Sequence, residues 1–101
     1  MATNKMRAIH PGEILREEYL LPLNMTSHAL AMELRAPASR INDIVRERRA
    51  VTPDTALRLA RCFGTTAQFW LNLQSSYDLK KAENEVGKRI EQEVHPLQMA
   101  A

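Results

Sequence analysis

The sequence predicts an all-α fold of about five helices followed by an amphipathic C-terminal helix. Apolar residues recur at helical spacing through most of the chain, and Ser/Thr caps and prolines punctuate them at intervals. No segment alternates apolar with polar residues as a half-buried strand would. The 101 residues suffice for one domain and not comfortably two, and 45% hydrophobic with 26% charged residues is the composition of a folded globular chain. The core such a chain can bury is small, so association between copies would add stability.

Residues 1–10 read as an N-terminal arm, residues 11–79 as a compact helical domain, and residues 80–101 as a tail. Pro11 suits a first helical turn, where its missing N–H costs nothing, and Pro22 stops the helix that follows. Helix one therefore covers about 11–20, with Ile14, Leu15 and Tyr19 close to one face. Thr26 is the expected N-cap of helix two, whose apolar face is Ala29, Leu30 and Leu34. A corner at Arg35–Ala36 leads to Pro37, which opens helix three, with Ile41, Ile44 and Val45 facing inward.

Thr52-Pro53 is a cap followed by a proline at the first helical position. Ala56, Leu57, Leu59, Ala60 and Phe63 make helix four largely buried, and Gly64 ends it in a left-handed cap. Thr66 caps helix five, which carries Phe69, Trp70, Leu73 and Tyr77. From Asp78 to Val94 a narrower stripe of Leu79, Ala82, Val86, Ile90 and Val94 reads as a separate amphipathic helix, weakened by Gly87 and ending before Pro96.

Helices two and three have the layout of a helix-turn-helix, whose second helix lies in the major groove of DNA. Such a helix needs an apolar back, a short polar and basic front, and phosphate contacts on either side. Ile41, Ile44 and Val45 supply the back; Ala38, Ser39, Arg40, Asn42 and Asp43 supply the front. Arg40 suits a bidentate contact to guanine and Asn42 one to adenine, while Ala38 and Ser39 permit close approach and Ala38 suits a thymine methyl. Asp43 repels phosphate, so it either meets a cytosine amine or orients a neighbouring arginine. Arg46, Arg48 and Arg49 suit phosphates, as do the free amides near Ser27 and Thr52.

The formal net charge is only +2. Its distribution is more telling, because five arginines between Arg35 and Arg49 face only Asp43 and Glu47. Polar helices with arginines are commonly just solvated faces. Here the cap, corner, inward Ile/Val pattern, basic connector and Thr-Pro cap occur in the order DNA binding requires.

With these residues in place, the core from Thr26 to Phe63 resembles the Xre/Cro, lambda-repressor-like helix-turn-helix class. The segments IHPGEILREEYL (9–20), PLNM (22–25), SRINDIV (39–45), RAVTPDTALRLARCFGTT (49–66) and FWLNLQSSYDL (69–79) are similar to the HigA-type antitoxins, the VapI-like plasmid maintenance antidotes. The likeness spans about residues 7–80. It implies a dimeric antidote that neutralises a HigB, RelE-like mRNA interferase and represses its own operon by binding a palindromic operator. Two other readings stay open: a stand-alone Xre-type regulator, and a protein-binding antidote without operator recognition.

Four residues depart from the family pattern. Arg35 stands where a corner glycine is usual, so it must either take a positive φ or reshape the corner. Arg46-Glu47 replaces Asn-Gly after the recognition helix and is expected to extend that helix. Ser27 replaces a glutamine frequent early in helix two.

Phe69, Trp70, Leu73 and Tyr77 form either core or a dimer seam. The seam is the favoured reading, since operators are read by two-fold dimers on half-sites about 34 Å apart. The tail helix either extends that seam or folds back. Cys62 lies in an apolar run and reads as a buried structural thiol in a reducing cytosol. No apolar signal region or membrane span appears, which fits a cytoplasmic protein. His10, His28 and His95 lack metal-ligand spacing, and no nucleophile–base set or phosphate loop is visible, so no metal, cofactor or enzymatic activity is expected.

Overall fold

The computed structural model describes residues 7–98. The first six residues of the expected arm lie outside the described residues. Helix α1 begins as Pro11–Ile14 and runs on without a break as a π-helical stretch, Leu15–Leu20. It is followed by α2, Ser27–Leu34; α3, Ala38–Val45; α4, Pro53–Phe63; and α5, Ala67–Glu93. The described residues contain no strand.

The expected division between a fifth helix and a separate tail helix is corrected by α5, a single helix of 27 residues. Gly87 lowers helix propensity by about 1 kcal/mol relative to alanine, too little to break a helix flanked by strong helix formers. The tail does not fold back. From Lys81 onward every described residue except Val86 and Gly87 is exposed, and Leu79, Ile90 and Val94 remain open at 61%, 49% and 63%.

The caps explain the boundaries. Thr26 accepts the Ala29 N–H at 3.0 Å and Thr66 accepts the Phe69 N–H at 3.0 Å. Gly64, at φ 74°, closes α4 with its N–H on the Ala60 carbonyl. Thr52 occupies the N-cap position of α4, but its hydroxyl contacts Thr55 Oγ1 at 3.4 Å and caps no amide. Pro37 sits in extended geometry at the N-cap of α3, so the helix starts at Ala38, one residue later than expected.

The core gathers one face of every helix: Leu15 and Leu20, Leu30 and Leu34, Ile41 and Ile44, Ala56 and Leu59, and Trp70. Trp70 is completely buried and donates its indole N–H to Thr65 Oγ1 at 2.7 Å, so its one polar atom is satisfied. Tyr19, Phe63 and Phe69 surround it with ring centroids 5.3, 6.4 and 5.1 Å away. Two expectations on α4 are corrected. Leu57 is 64% exposed, and Cys62, which lines the same surface beside Glu33 and Arg35, is exposed too.

Candidate nucleic-acid interface

The recognition-helix candidate α3 turns Ile41 and Ile44 wholly into the core, with Val45 half-buried beside them. That orientation leaves Ala38 and Ser39 exposed at its N-terminal end and Arg40, Asn42 and Asp43 partly exposed along its front. Arg46, Arg48 and Arg49 follow on the exposed connector. The sequence-predicted residues thus lie on the exposed part of α3 and on the connector after it, with Ser27 against Asn42 and with Arg40, Arg49 and Thr52 lining one shallow hollow.

Three front side chains are held by partners within the chain. The Ser27 hydroxyl donates to Asn42 Oδ1 at 3.2 Å, a contact that leaves the Asn42 amide donors unused. Arg48 Nη2 donates to Asp43 Oδ1 at 3.2 Å. Of the two roles open to Asp43, this contact favours orienting an arginine. Arg40 Nη1 donates to Asp54 Oδ2 at 2.7 Å, and Arg58 Nε donates to the same oxygen at 2.9 Å. These arginines, Arg58 first, hold the Asp54 carboxyl below the usual carboxylate range. Because Thr52 caps no amide, the first-turn N–H groups of α4 lack a side-chain acceptor and suit a phosphate oxygen.

The turns at the two ends of α3 resolve the departures from the glycine pattern. Arg35 takes φ 56°, the left-handed corner itself, and Ala36 N–H reaches back to the Ala31 carbonyl at 3.1 Å. Arg46-Glu47 does not extend α3, contrary to expectation. The helix stops at Val45, Glu47 takes φ 65° where glycine is usual, and Arg48 N–H returns to the Asp43 carbonyl at 2.8 Å. Left-handed backbone costs a non-glycine residue about 1–2 kcal/mol.

In each case an arginine from another helix braces the turn. Arg58 Nη1 donates to the carbonyls of Leu34 at 2.9 Å and Arg35 at 3.2 Å. Arg16 Nη1 donates to the Val45 carbonyl at 2.7 Å, while its Nη2 meets Glu47 Oε2 at 3.2 Å.

Helix α1 is the clamp on the far end of α3, a role its sequence did not announce. His10 is buried, and its Nδ1 accepts the Gly12 N–H at 2.8 Å, so it caps α1 as a neutral imidazole. Burial pushes the imidazole below its ordinary pKa, against opposing contributions from Glu47, Asp78 and the Arg49 backbone. Tyr77 meets the His10 ring edge-on at 4.8 Å. Gly12 lies against the end of α3, where a Cβ would stand 1.8 Å from the Ile44 carbonyl oxygen. Gln74 ties α5 to the connector, its Oε1 accepting the Val51 N–H at 2.8 Å and its Nε2 donating to Asp78 at 2.9 Å.

Of the four proposed seam residues, Trp70 is corrected to core, since it has no surface left to offer a partner. Tyr77 and Leu73 are half-buried, and Phe69 is 38% exposed. Although Cys62 is exposed overall, partial desolvation of its thiol, and then the charge of Glu33, push its pKa up, the reverse of what activates a nucleophile. Among the described residues no group of His, Cys, Asp or Glu is placed to hold a metal ion, and no helix is long and apolar enough to cross a membrane.

The Helix-turn-helix family profile matches residues 15–70, which span the end of α1 through Trp70. The chain is 63% identical over 82 residues to virulence-associated protein I of Dichelobacter nodosus, covering 81% of this chain and 76% of that protein. Among solved structures it superposes on the Pseudomonas aeruginosa antitoxin HigA with higBA promoter at TM-score 0.89 and 52% identity, covering 91% and 100% of the two chains. It superposes on antitoxin GraA in complex with its operator at TM-score 0.88 and 47% identity, covering 93% and 95%. The arrangement around α3 and these likenesses together place the chain in the HigA-type, VapI-like antitoxin group of the Xre-like helix-turn-helix family.

Proposed function

We propose that this chain is the antitoxin of a type II toxin–antitoxin pair, acting in the cytoplasm as a homodimeric repressor of its own operon. One observation carries the DNA reading: α3 presents Arg40, Asn42 and Asp43 beside Arg46, Arg48 and Arg49, with its back locked in the core. Relatives solved with promoter or operator DNA support the same reading. Neutralisation of a HigB/RelE-like mRNA interferase is the part supported by family membership alone. The dimer is supported by the exposed apolar stripe Leu79, Ile90 and Val94 on α5, together with Phe69.

Base and phosphate contacts differ in what their loss does. Arg40→Ala relaxes the preference for operator over random DNA, by about 1–3 kcal/mol if a bidentate guanine contact is lost. Arg48→Ala weakens binding to all duplexes roughly uniformly. Equal losses on operator and random DNA for both variants would refute the assignment. The antidote role is tested by growth: a RelE-like toxin encoded beside this gene arrests cells when expressed alone and does not when this chain is co-expressed.

A further inference from the structure

Asp54 lies on α4, outside the recognition helix, yet it is the acceptor that holds the one arginine on the front of that helix. Arg40 Nη1 and Arg58 Nε converge on Asp54 Oδ2 at 2.7 and 2.9 Å. Arg58 is itself anchored on the Leu34 and Arg35 carbonyls at the helix corner, so Asp54 is an oriented acceptor tied to the frame. Its place in the first turn of α4 favours the ionised carboxylate. Arg40 is consequently the most withdrawn of the interface arginines, with its side chain 29% exposed, whereas Arg48 keeps 59%.

We propose that Asp54 is a specificity-determining positioning residue, which holds Arg40 by Nη1 back from phosphates and leaves its Nε–Nη2 edge to meet a guanine. The proposal rests on Arg40 as a base-contacting residue. On random DNA, leaving Asp54 for a phosphate exchanges one ion pair for another and gains little. At a guanine, the Nε–Nη2 edge adds two parallel hydrogen bonds to O6 and N7 while Nη1 stays on Asp54, so no ion pair is given up. The carboxylate therefore withholds one charge from non-specific binding and concentrates the contribution of Arg40 on the correct site.

Asp54→Asn in the full chain tests this, with affinities for an operator duplex and a random duplex of equal length measured across a salt series. Random-DNA affinity is expected to rise about threefold to fivefold, the scale of one exposed ion pair. The slope of log affinity against log salt on random DNA steepens by about one unit as Arg40 joins the phosphate contacts. The operator-to-random ratio falls by a similar factor, and the gain disappears in the Asp54→Asn/Arg40→Ala double variant. An unchanged ratio, an equal rise on both duplexes, or a gain that survives Arg40→Ala would each overturn the proposal.

Should loss of the Arg58 contact unfold Asp54→Asn, Arg40→Ala in the otherwise natural chain supplies a second arm. It lowers operator affinity and spares the salt slope on random DNA; a drop of about one unit in the random-DNA slope overturns the proposal. Failure of the parent reading is separate and visible, because Arg40→Ala would then leave the operator-to-random ratio at the wild-type value.

Discussion

Gly12→Ala is the substitution whose outcome the structure dictates most sharply. Helix propensity alone favours alanine over glycine by about 1 kcal/mol, which predicts a stabilised protein. Packing predicts the opposite. The added Cβ would stand 1.8 Å from the Ile44 carbonyl oxygen, 2.9 Å from the Ile44 carbonyl carbon and 3.1 Å from His10 Nδ1. Two of those three atoms are backbone, so no side-chain rotation relieves the overlap. Ordinary contact requires α1 and the end of α3 to separate by roughly 1.5 Å, which strains the His10 cap and the Arg16 bond to Val45. Overpacking of this kind costs about 1–3 kcal/mol, and a backbone clash lies at the upper end.

After the propensity gain is subtracted, a net loss of about 2 kcal/mol remains, or roughly 8–16 °C in Tm for a domain of this size. Thermal unfolding followed by circular dichroism measures it. Operator affinity falls as well in the folded fraction, because the displaced segment is the C-terminal end of the recognition helix. A Gly12→Ala protein with unchanged or raised Tm would refute the claim that α1 clamps α3 through this contact.

Arg35→Gly removes the left-handed penalty at the corner and is expected to stabilise by about 0.5–1 kcal/mol, read as a higher denaturant midpoint; destabilisation would mean the Arg35 side chain supports the turn. Gln74→Leu leaves the Val51 N–H without its acceptor and should cost about 1–3 kcal/mol in the same assay. Folding lowers the His10 pKa, so the unfolded chain binds the proton more readily. Stability is therefore full above about pH 6.5 and is lost as pH falls from there through the lowered folded-state value. His10→Asn, which keeps a cap acceptor and cannot titrate, should flatten that slope in denaturant melts run across the same range. The lowered carboxyls of Glu13 and Asp54 act in a separate window, below about pH 4.

What the sequence made legible divides along physical lines. Caps and apolar spacing are local signals, and Thr26, Thr66, Gly64 and the Ile41/Ile44 pair perform the roles their positions imply. The front of α3 was readable because a helix that buries Ile41 and Ile44 must expose Arg40, Asn42 and Asp43 nearby. The supports of that helix were not readable, since each joins elements distant in sequence: Gly12 to Ile44, Arg16 to Val45, Arg58 to Leu34.

The two left-handed arginine and glutamate positions illustrate the same point. Arg35 and Glu47 look like broken turns until Arg58 and Arg16 are seen bracing the carbonyls around them. Gly12 did carry a faint signal, being a poor helix former within a helical turn, which marks close backbone approach. Trp70 misled for a different reason. Large aromatics are favoured in cores and interfaces alike, and only the tertiary position of Thr65 and Tyr19 assigns it to the core.

Sequence readout of DNA by α3 and the connector after it underlies the proposed function. It is tested most directly by measuring, at several salt concentrations, affinity for the duplex upstream of this gene's own operon against a random duplex. A steep fall in affinity with salt is expected on both, with a preference for the upstream duplex of about a thousandfold or more. Equal affinities with matching salt slopes would contradict it.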